Sequence, residues 1–191
     1  VEVVEPQISA YLQNLFLPEN IALTGSFKRQ LEIIEELEYV VNISNEQIKP
    51  KLLSVRPPEL LEDKPGTLLY KLLNGLKLRL YTGSENFKAN LFEKSGSPEF
   101  IDAFKKVRSN IDYDDIEIND DSPVFKKAGV NYIPYCLREK PEIIDRAKTT
   151  TMPMLIQPGD IKGIIHSHSN WSDGSNTLEE MAKAAKEQGY E

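Results

Sequence analysis

Residues 67–81 read TLLYKLLNGLKLRLY, in which Asn74-Gly75 separates two stretches rich in Leu and Tyr. Asn followed by Gly is the pair that a tight hairpin turn prefers, because both residues tolerate the positive φ angles that such a turn requires. This stretch therefore predicts an antiparallel β-hairpin, and we expect the rest of a sheet to form around it.

The sequence before the hairpin predicts helices and strands in alternation. Apolar residues recur at helical spacing from Ile8 to Phe16, and short β-type stretches lie at 21–23 and 37–43. A short helical run is expected at 29–34, between those strands. A further helix is expected to start at 44–47, where Ser and Asn offer a cap.

The sequence after the hairpin predicts mainly helices. We expect them at 85–94, at 99–108, at 122–129 and from 139–142 onward, where Ser-Pro pairs or acidic residues mark their starts. A linker-like stretch then precedes a predicted strand at 161–166. The expected fold class is α+β, with a mixed β-sheet and helices on it, followed by a small α/β region and one βα unit.

Composition limits the class of protein and its partners. The chain has a net charge of −7 and a pI near 5.1, which argues against a surface that binds nucleic acid by neutralising phosphates. Its acidic stretch at 112–121 is typical of a solvated loop. The single cysteine, Cys136, cannot form an internal disulfide. We find no apolar run of about 20 residues and no signal-like start, and expect a cytoplasmic protein without membrane contact.

A histidine motif lies near the end of the sequence, where residues 163–174 read GIIHSHSNWSDG. His166 and His168 would share one face of the predicted strand, so that both imidazoles could reach one metal ion. Asp173, in the following turn, could add an oxygen ligand, and such a set suits Mn or Zn.

This motif resembles the first motif of the PHP (polymerase and histidinol phosphatase) superfamily, whose members hydrolyse phosphoesters at a cluster of metal ions. The resemblance covers about the last thirty residues and implies Zn or Mn at the complete site. Later motifs of that family have no counterpart here, so we expect His166, His168 and Asp173 to form an incomplete site that binds no metal.

A second motif lies near the start of the sequence, where residues 25–29 read GSFKR and residues 36–38 read ELE. Together they resemble the family X nucleotidyltransferase signature, which is a Gly-Ser-Tyr/Phe-Arg-Arg turn followed by Asp-x-Asp on a strand. The resemblance implies a nucleotidyltransferase-like palm.

The resemblance assigns roles to five residues. Gly25, Ser26 and Arg29 match the part that binds a nucleotide triphosphate. Glu36 and Glu38 match the catalytic aspartates, which bind two Mg or Mn ions.

The sequence departs from the family at several of these positions. Each Glu is one methylene longer than Asp, which moves the carboxylate by about an ångström, and octahedral Mg tolerates that poorly. Arg79 stands where the family has a third carboxylate, and residues 93–97 (EKSGS) stand where it has Tyr-Phe-Thr-Gly-Ser. Glu36 and Glu38 could instead form a cross-strand ion pair with Arg79. We therefore expect a degenerate palm that is catalytically weak or inactive.

Residues 130–134, 137–139 and 141–144 (VNYIP, LRE and PEII) resemble the segment that joins the family's thumb to its PHP domain. All three similarities follow the order found in bacterial family X DNA polymerases with a C-terminal PHP domain. The resemblance implies a piece of such a protein, with a palm-like nucleotidyltransferase domain at 1–96, a thumb-like domain and linker at 97–158, and the truncated start of a PHP domain at 159–191.

Three functions remain open at this point. The complete protein could perform DNA repair synthesis, with DNA and deoxynucleoside triphosphate as its partners, while this part binds DNA weakly or not at all. The palm-like domain could instead be a non-catalytic scaffold that positions DNA or another partner for a PHP phosphoesterase. Thirdly, the protein could be a PHP phosphatase for a small phosphorylated metabolite, joined to an unrelated N-terminal domain.

Overall fold

A five-stranded mixed sheet with helices on both faces organises the first part of the chain. The computed structural model describes residues 1–52, 58–150 and 152–190. Its strands are β1 (Ile21–Thr24), β2 (Glu36–Val41), β3 (Glu59–Lys64), β4 (Thr67–Lys71) and β5 (Lys77–Thr82). Its helices are α1 (Glu5–Phe16), α2 (Gly25–Lys28), α3 (Asn45–Leu52), α4 (Phe87–Glu93), α5 (Pro98–Val107), α6 (Ser122–Ala128), α7 (Glu142–Thr149) and α8 (Leu178–Glu187). The predicted α+β class is confirmed.

The predicted hairpin is also confirmed, and it forms one half of the sheet. The strand order is β1-β2-β5-β4-β3, in which β2 and β5 are parallel and every other pair is antiparallel. Lys71 lies opposite Lys77 at the end of the hairpin. Gly75 adopts a φ of 83° in the connection, which is the conformation that a residue with a Cβ resists.

The two faces of the sheet bury different cores. On one face, Leu37 and Leu80 pack with Leu12 of α1 and Ile48 of α3. On the other face, Val40 packs with apolar residues of the helices α4 to α7, among them Phe92, Phe100, Phe104, Phe125 and Ile144. Because side chains alternate along a strand, Glu36, Glu38 and Val40 share this second face. Glu36 and Glu38 form the polar end of this face, and Val40 forms its apolar end.

Three expectations for secondary structure were wrong or incomplete. The short helix occupies Gly25–Lys28 instead of 29–34, because Gln30 adopts a φ of 61° that ends it. Strand β3 was missed, since its charged sequence lacks the alternation of a half-buried strand and only an edge position tolerates it.

The predicted strand at 161–166 is absent, and these residues have no regular secondary structure. Ile164 and Ile165 are exposed, and the described residues of this part of the chain contain no strand with which they could pair. A β-strand needs such a partner, because its backbone groups cannot bond to one another within the strand.

The chain divides into two compact units, Val1–Met152 and Pro153–Glu191. The first contains the whole sheet and helices α1 to α7. The second contains α8, whose N-terminus is closed by reciprocal hydrogen bonds between Thr177 and Glu180. The finer division into palm, thumb and PHP parts stays a prediction. No helix among the described residues is long and apolar enough to cross a membrane.

Candidate functional site

The predicted palm residues come together at the polar end of the second sheet face. Thr24 ends β1 directly beside Glu38 of β2, and Glu38 lies beside Arg79 of β5. Leu69 of β4 lies between two of these strands: it is beside Arg79 of β5 on one side and beside Glu62 of β3 on the other. The register therefore brings Glu36, Glu38, Glu62, Arg79 and Tyr81 to one surface, with the Gly25–Lys28 turn at its edge.

Gly25 is required by the close packing of this turn on β2. It adopts a φ of 67°, and a Cβ placed on it would lie 1.9 Å from a carboxylate oxygen of Glu38. The amide of Ser26 donates a hydrogen bond to the same carboxylate, at 3.0 Å. The family resemblance assigns this backbone N–H to nucleotide binding, and here it binds the protein's own Glu38 instead.

The second oxygen of Glu38 is also occupied. The hydroxyl of Tyr81 donates to it at 2.7 Å. Burial, and then the adjacent carboxylate of Glu38, raise the pKa of Tyr81, so the phenol keeps the proton that it donates. The ammonium of Lys94 lies 4.6 Å from the centre of the Tyr81 ring. Glu38 is thus held by two donors within the protein.

Arg79 pairs with the other predicted catalytic residue. Its guanidinium donates to both oxygens of Glu36, at 2.5 and 3.1 Å, and to Glu62 at 3.4 Å. The hydrogen bond to Glu36 is the main reason that the pKa of Arg79 is raised. The sequence left open that Arg79 forms a cross-strand ion pair with Glu36 and Glu38, and this alternative is confirmed for Glu36.

These side chains do not fit a pair of divalent cations. A guanidinium already lies between Glu36 and Glu62, and a dication placed there would meet a positive charge at close range. Over residues 1–52, 58–150 and 152–190, no group of three or more His, Cys, Asp or Glu side chains could hold a metal ion.

Arg29, which the resemblance assigns to phosphate, is buried and paired within the protein. Its Nε donates to the carboxylate of Glu139, and its Nη1 lies 3.5 Å from the carbonyl of Gly96. Arg29 therefore links the glycine turn to the segment that resembles the thumb.

Sequence reasoning missed a buried ion pair beside this link. Arg138 is fully buried and donates to both carboxylate oxygens of Asp121 and to the carbonyl of Ile133. The guanidinium also lies 4.2 Å from the centre of the Tyr135 ring and 4.7 Å from that of Phe125. The LRE stretch at 137–139 was singled out for its resemblance alone, and nothing in it indicated that Arg138 is buried.

The predicted PHP residues lie close together in the second unit. The Nε2 atoms of His166 and His168 are 2.6 Å apart, and Nδ1 of His168 lies 2.5 Å from a carboxylate oxygen of Asp173. A tetrahedral ion bound at about 2.0 Å would hold two ligating nitrogens roughly 3.3 Å apart, so the spacing of these two imidazoles is shorter than metal coordination requires. Asp173 contacts His168 directly, which is how a carboxylate orients a ligating imidazole.

Two site residues could have been found from the sequence. Tyr81 follows Arg79 by two positions and must share its face of β5. Glu62 would have been placed beside Arg79 if β3 had been predicted. Glu139 carried no such signal, since it pairs with Arg29 across 110 positions of sequence.

Comparisons with known proteins give one similarity of note, and no family model matches the chain. The chain is 24% identical over 186 residues to the DNA polymerase/3'-5' exonuclease PolX of Bacillus subtilis (strain 168). The alignment covers 87% of this chain and 32% of that protein, so the chain spans about a third of its relative's length. This similarity relates the chain to a family X DNA polymerase.

Proposed function

We propose that residues 1–152 form a palm-like and thumb-like module of a family X polymerase relative that has lost metal-dependent nucleotidyl transfer and acts as a non-catalytic scaffold. The observation that carries this proposal is the Arg79 guanidinium bound to Glu36 and Glu62. A two-metal mechanism needs free carboxylates around the ions, and here the protein supplies its own cation.

The phosphate-binding half of the signature supports the same proposal. Ser26 N–H is directed at Glu38, and Arg29 is paired with Glu139. A triphosphate would have to displace both contacts, and it would approach without the metal ions that normally offset its charge. Binding of a nucleotide is therefore expected to be weak.

The partner of the scaffold is proposed from the relative. A DNA polymerase acts on DNA, and the complete protein would position DNA, or a protein bound to it, for a PHP phosphoesterase whose first two imidazoles are His166 and His168. The net charge of −7 argues that this part of the protein contributes little binding energy for phosphates. DNA repair synthesis by the complete protein then has no catalytic contribution from this palm.

Calorimetric titration tests the loss of transfer. Mn²⁺ alone, and then deoxynucleoside triphosphate in the presence of Mg²⁺ or Mn²⁺, are titrated into the wild-type chain and into Glu38→Gln. Gln keeps an oxygen for the Ser26 amide but has no charge for a metal. We expect no saturable heat in either protein.

Saturable nucleotide binding that requires metal and is abolished in Glu38→Gln would overturn the proposal. Extension of a gapped primer by the wild-type chain would overturn it as well, since both results require a functioning palm. The same titration with Arg79→Met shows whether the guanidinium is what prevents binding.

A further inference from the structure

Arg29 is bound to one carboxylate, and it keeps donors that are not used. Its Nε donates to the carboxylate of Glu139, and its Nη1 lies 3.5 Å from the carbonyl of Gly96, at the limit of a hydrogen bond. A guanidinium carries five N–H donors. No further acceptor for this one is found among the described residues, so the contact with Glu139 is its main anchor.

The carboxylate of Glu139 can leave Arg29 without loss of the backbone contacts around it. The side chain of Glu139 is 36% exposed and that of Arg29 only 10%, so the position of the carboxylate is reached from solvent. Ser97 holds the same segment through its hydroxyl, which donates to the carbonyl of Glu139 at 2.7 Å. Its amide donates to the carbonyl of Arg138 at 2.8 Å. Rotation of the Glu139 side chain into water leaves both bonds intact.

Cations outnumber carboxylates around this pair. Lys28 and Arg138 lie against the ring of Tyr135, with Nζ and the guanidinium carbon 4.1 and 4.2 Å from its centre. Asp121 accepts from Arg138 with both oxygens. Without the carboxylate of Glu139, the group of two arginines and one lysine would have only Asp121 as a counter-charge. Such an excess of positive charge attracts an anion from solution.

We propose that Glu139 is an autoinhibitory ligand of Arg29, and that a tetrahedral oxyanion of the phosphate class displaces its carboxylate and binds in its place. This inference rests on the proposed function, in which the phosphate-binding half of the signature is occupied by the protein's own carboxylates. The exchange is non-covalent. Glu139 turns into water, and two oxygens of the anion accept from Arg29, whose planar donors match phosphate oxygens.

Charge and tethering act in opposite directions in this exchange. A phosphate group carries a charge of about −1.5 to −2 at pH 7, whereas Glu139 offers a single charge to the guanidinium. Glu139 is tethered, however, and a tethered group acts at an effective concentration in roughly the millimolar range. The site is therefore closed by Glu139 when phosphate is scarce, and its occupancy follows the free concentration of the anion.

Calorimetric titration with inorganic phosphate tests the autoinhibition. Phosphate is titrated at pH 7, in the presence of EDTA, into the wild-type chain, Glu139→Gln and Glu142→Gln. The last is the matched control, since it removes the same charge from an exposed residue of α7. We expect Glu139→Gln to bind about tenfold more tightly than the wild type, which corresponds to about 1.4 kcal/mol. Glu142→Gln should bind as the wild type does.

A deoxynucleoside triphosphate titrated without metal distinguishes two sources of the same chemistry. A gain of affinity for inorganic phosphate alone identifies a free oxyanion as the ligand, and a larger gain for the triphosphate identifies a phosphate carried by a nucleotide. Either gain supports displacement of Glu139. If Glu139→Gln and the wild type bind both ligands equally, the proposal is overturned.

A second substitution shows whether the anion is held by Arg29. Arg29→Gln, added to Glu139→Gln, should abolish the gain, and a gain that persists without Arg29 would overturn the proposal. Circular dichroism checks that each variant is folded. Glu139→Asp, which withdraws the carboxylate by one methylene, takes the place of Glu139→Gln if that variant does not fold, and should show a smaller gain. Because EDTA is present, metal-dependent nucleotide binding at Glu38 would contradict the proposed function in its own titration and not in this one.

Discussion

Replacing Arg79 with Met tests the ion-pair network at the candidate site. Met has a similar length but no charge, so the variant leaves Glu36 and Glu62 without their shared cation while it keeps the packing on β5. The side chains of Arg79 and Glu36 are each 21% exposed. The pair is thus intermediate between surface pairs, which contribute up to about 1 kcal/mol, and buried pairs, whose disruption costs about 3–5 kcal/mol.

We expect Arg79→Met to lower the free energy of unfolding by about 2 kcal/mol, which corresponds to a decrease in Tm of about 4–8 °C for a chain of this size. Urea unfolding followed by circular dichroism measures the change. A double-mutant cycle with Glu36→Gln should give a coupling energy of about 1–2 kcal/mol. Lys77→Met is the matched control, since Lys77 is an exposed cation on the same strand and face.

The same variant should acquire sensitivity to divalent cations. With the guanidinium removed, Glu36 and Glu62 can bind Mn²⁺, and a free concentration ten times the Kd would restore about 1.4 kcal/mol. The wild-type protein and Lys77→Met should gain nothing from Mn²⁺. A coupling energy near zero, or equal stabilisation of all three proteins by Mn²⁺, would refute the reasoning.

Three further predictions concern the turn at Gly25, the buried ion pair of Asp121 with Arg138, and Lys28. Gly25→Ala should cost more than 2 kcal/mol in urea unfolding, because strain and a clash with Glu38 add, whereas Gly75→Ala has free space and should cost about 1 kcal/mol. Asp121→Asn should lower the free energy of unfolding by about 3–5 kcal/mol, because it leaves Arg138 buried without its ion-pair partner. The control Asp102→Asn changes an exposed residue and should shift the Tm by less than about 2 °C. Lys28→Met should stabilise the protein at pH 7, because a folded-state pKa lowered to about 8 means that the unfolded chain binds the proton more tightly. That gain should shrink as the pH rises from about 8 toward the ordinary value of 10.5, as urea unfolding at a series of pH values would show.

The parts of the fold that were predictable are those encoded by neighbouring residues. The Asn74-Gly75 turn and the strands around it are local signals, and so are the order of apolar residues in α1 and the Ser97-Pro98 pair that starts α5. β3 was not predictable by the same means, because an edge strand with one solvated side carries charged residues and a bulge between Leu60 and Glu62.

The candidate site was predictable in part of its membership but not in its pairing. Glu36, Glu38 and Arg79 were expected on one sheet surface, and the structure places them there. Which carboxylate pairs with Arg79 depends on the parallel register of β2 and β5, in which Glu38 is its direct neighbour and Glu36 its diagonal one. The ion pair of Arg29 joins residues 110 positions apart, and no local pattern encodes such a contact.

The position of Arg79 also has a reason in the stability of the sheet. Glu36, Glu38 and Glu62 lie on one surface, and like charges at such separations destabilise a sheet unless a cation is present. In a two-metal palm the ions meet that need, but only when they are bound. A guanidinium on the neighbouring strand meets it permanently, and its planar donors suit two oxygens of one carboxylate. Under the proposed function, loss of metal chemistry and gain of a metal-independent fold would then be one change, since any cation that stabilises this surface without metal must occupy the space in which metal would bind.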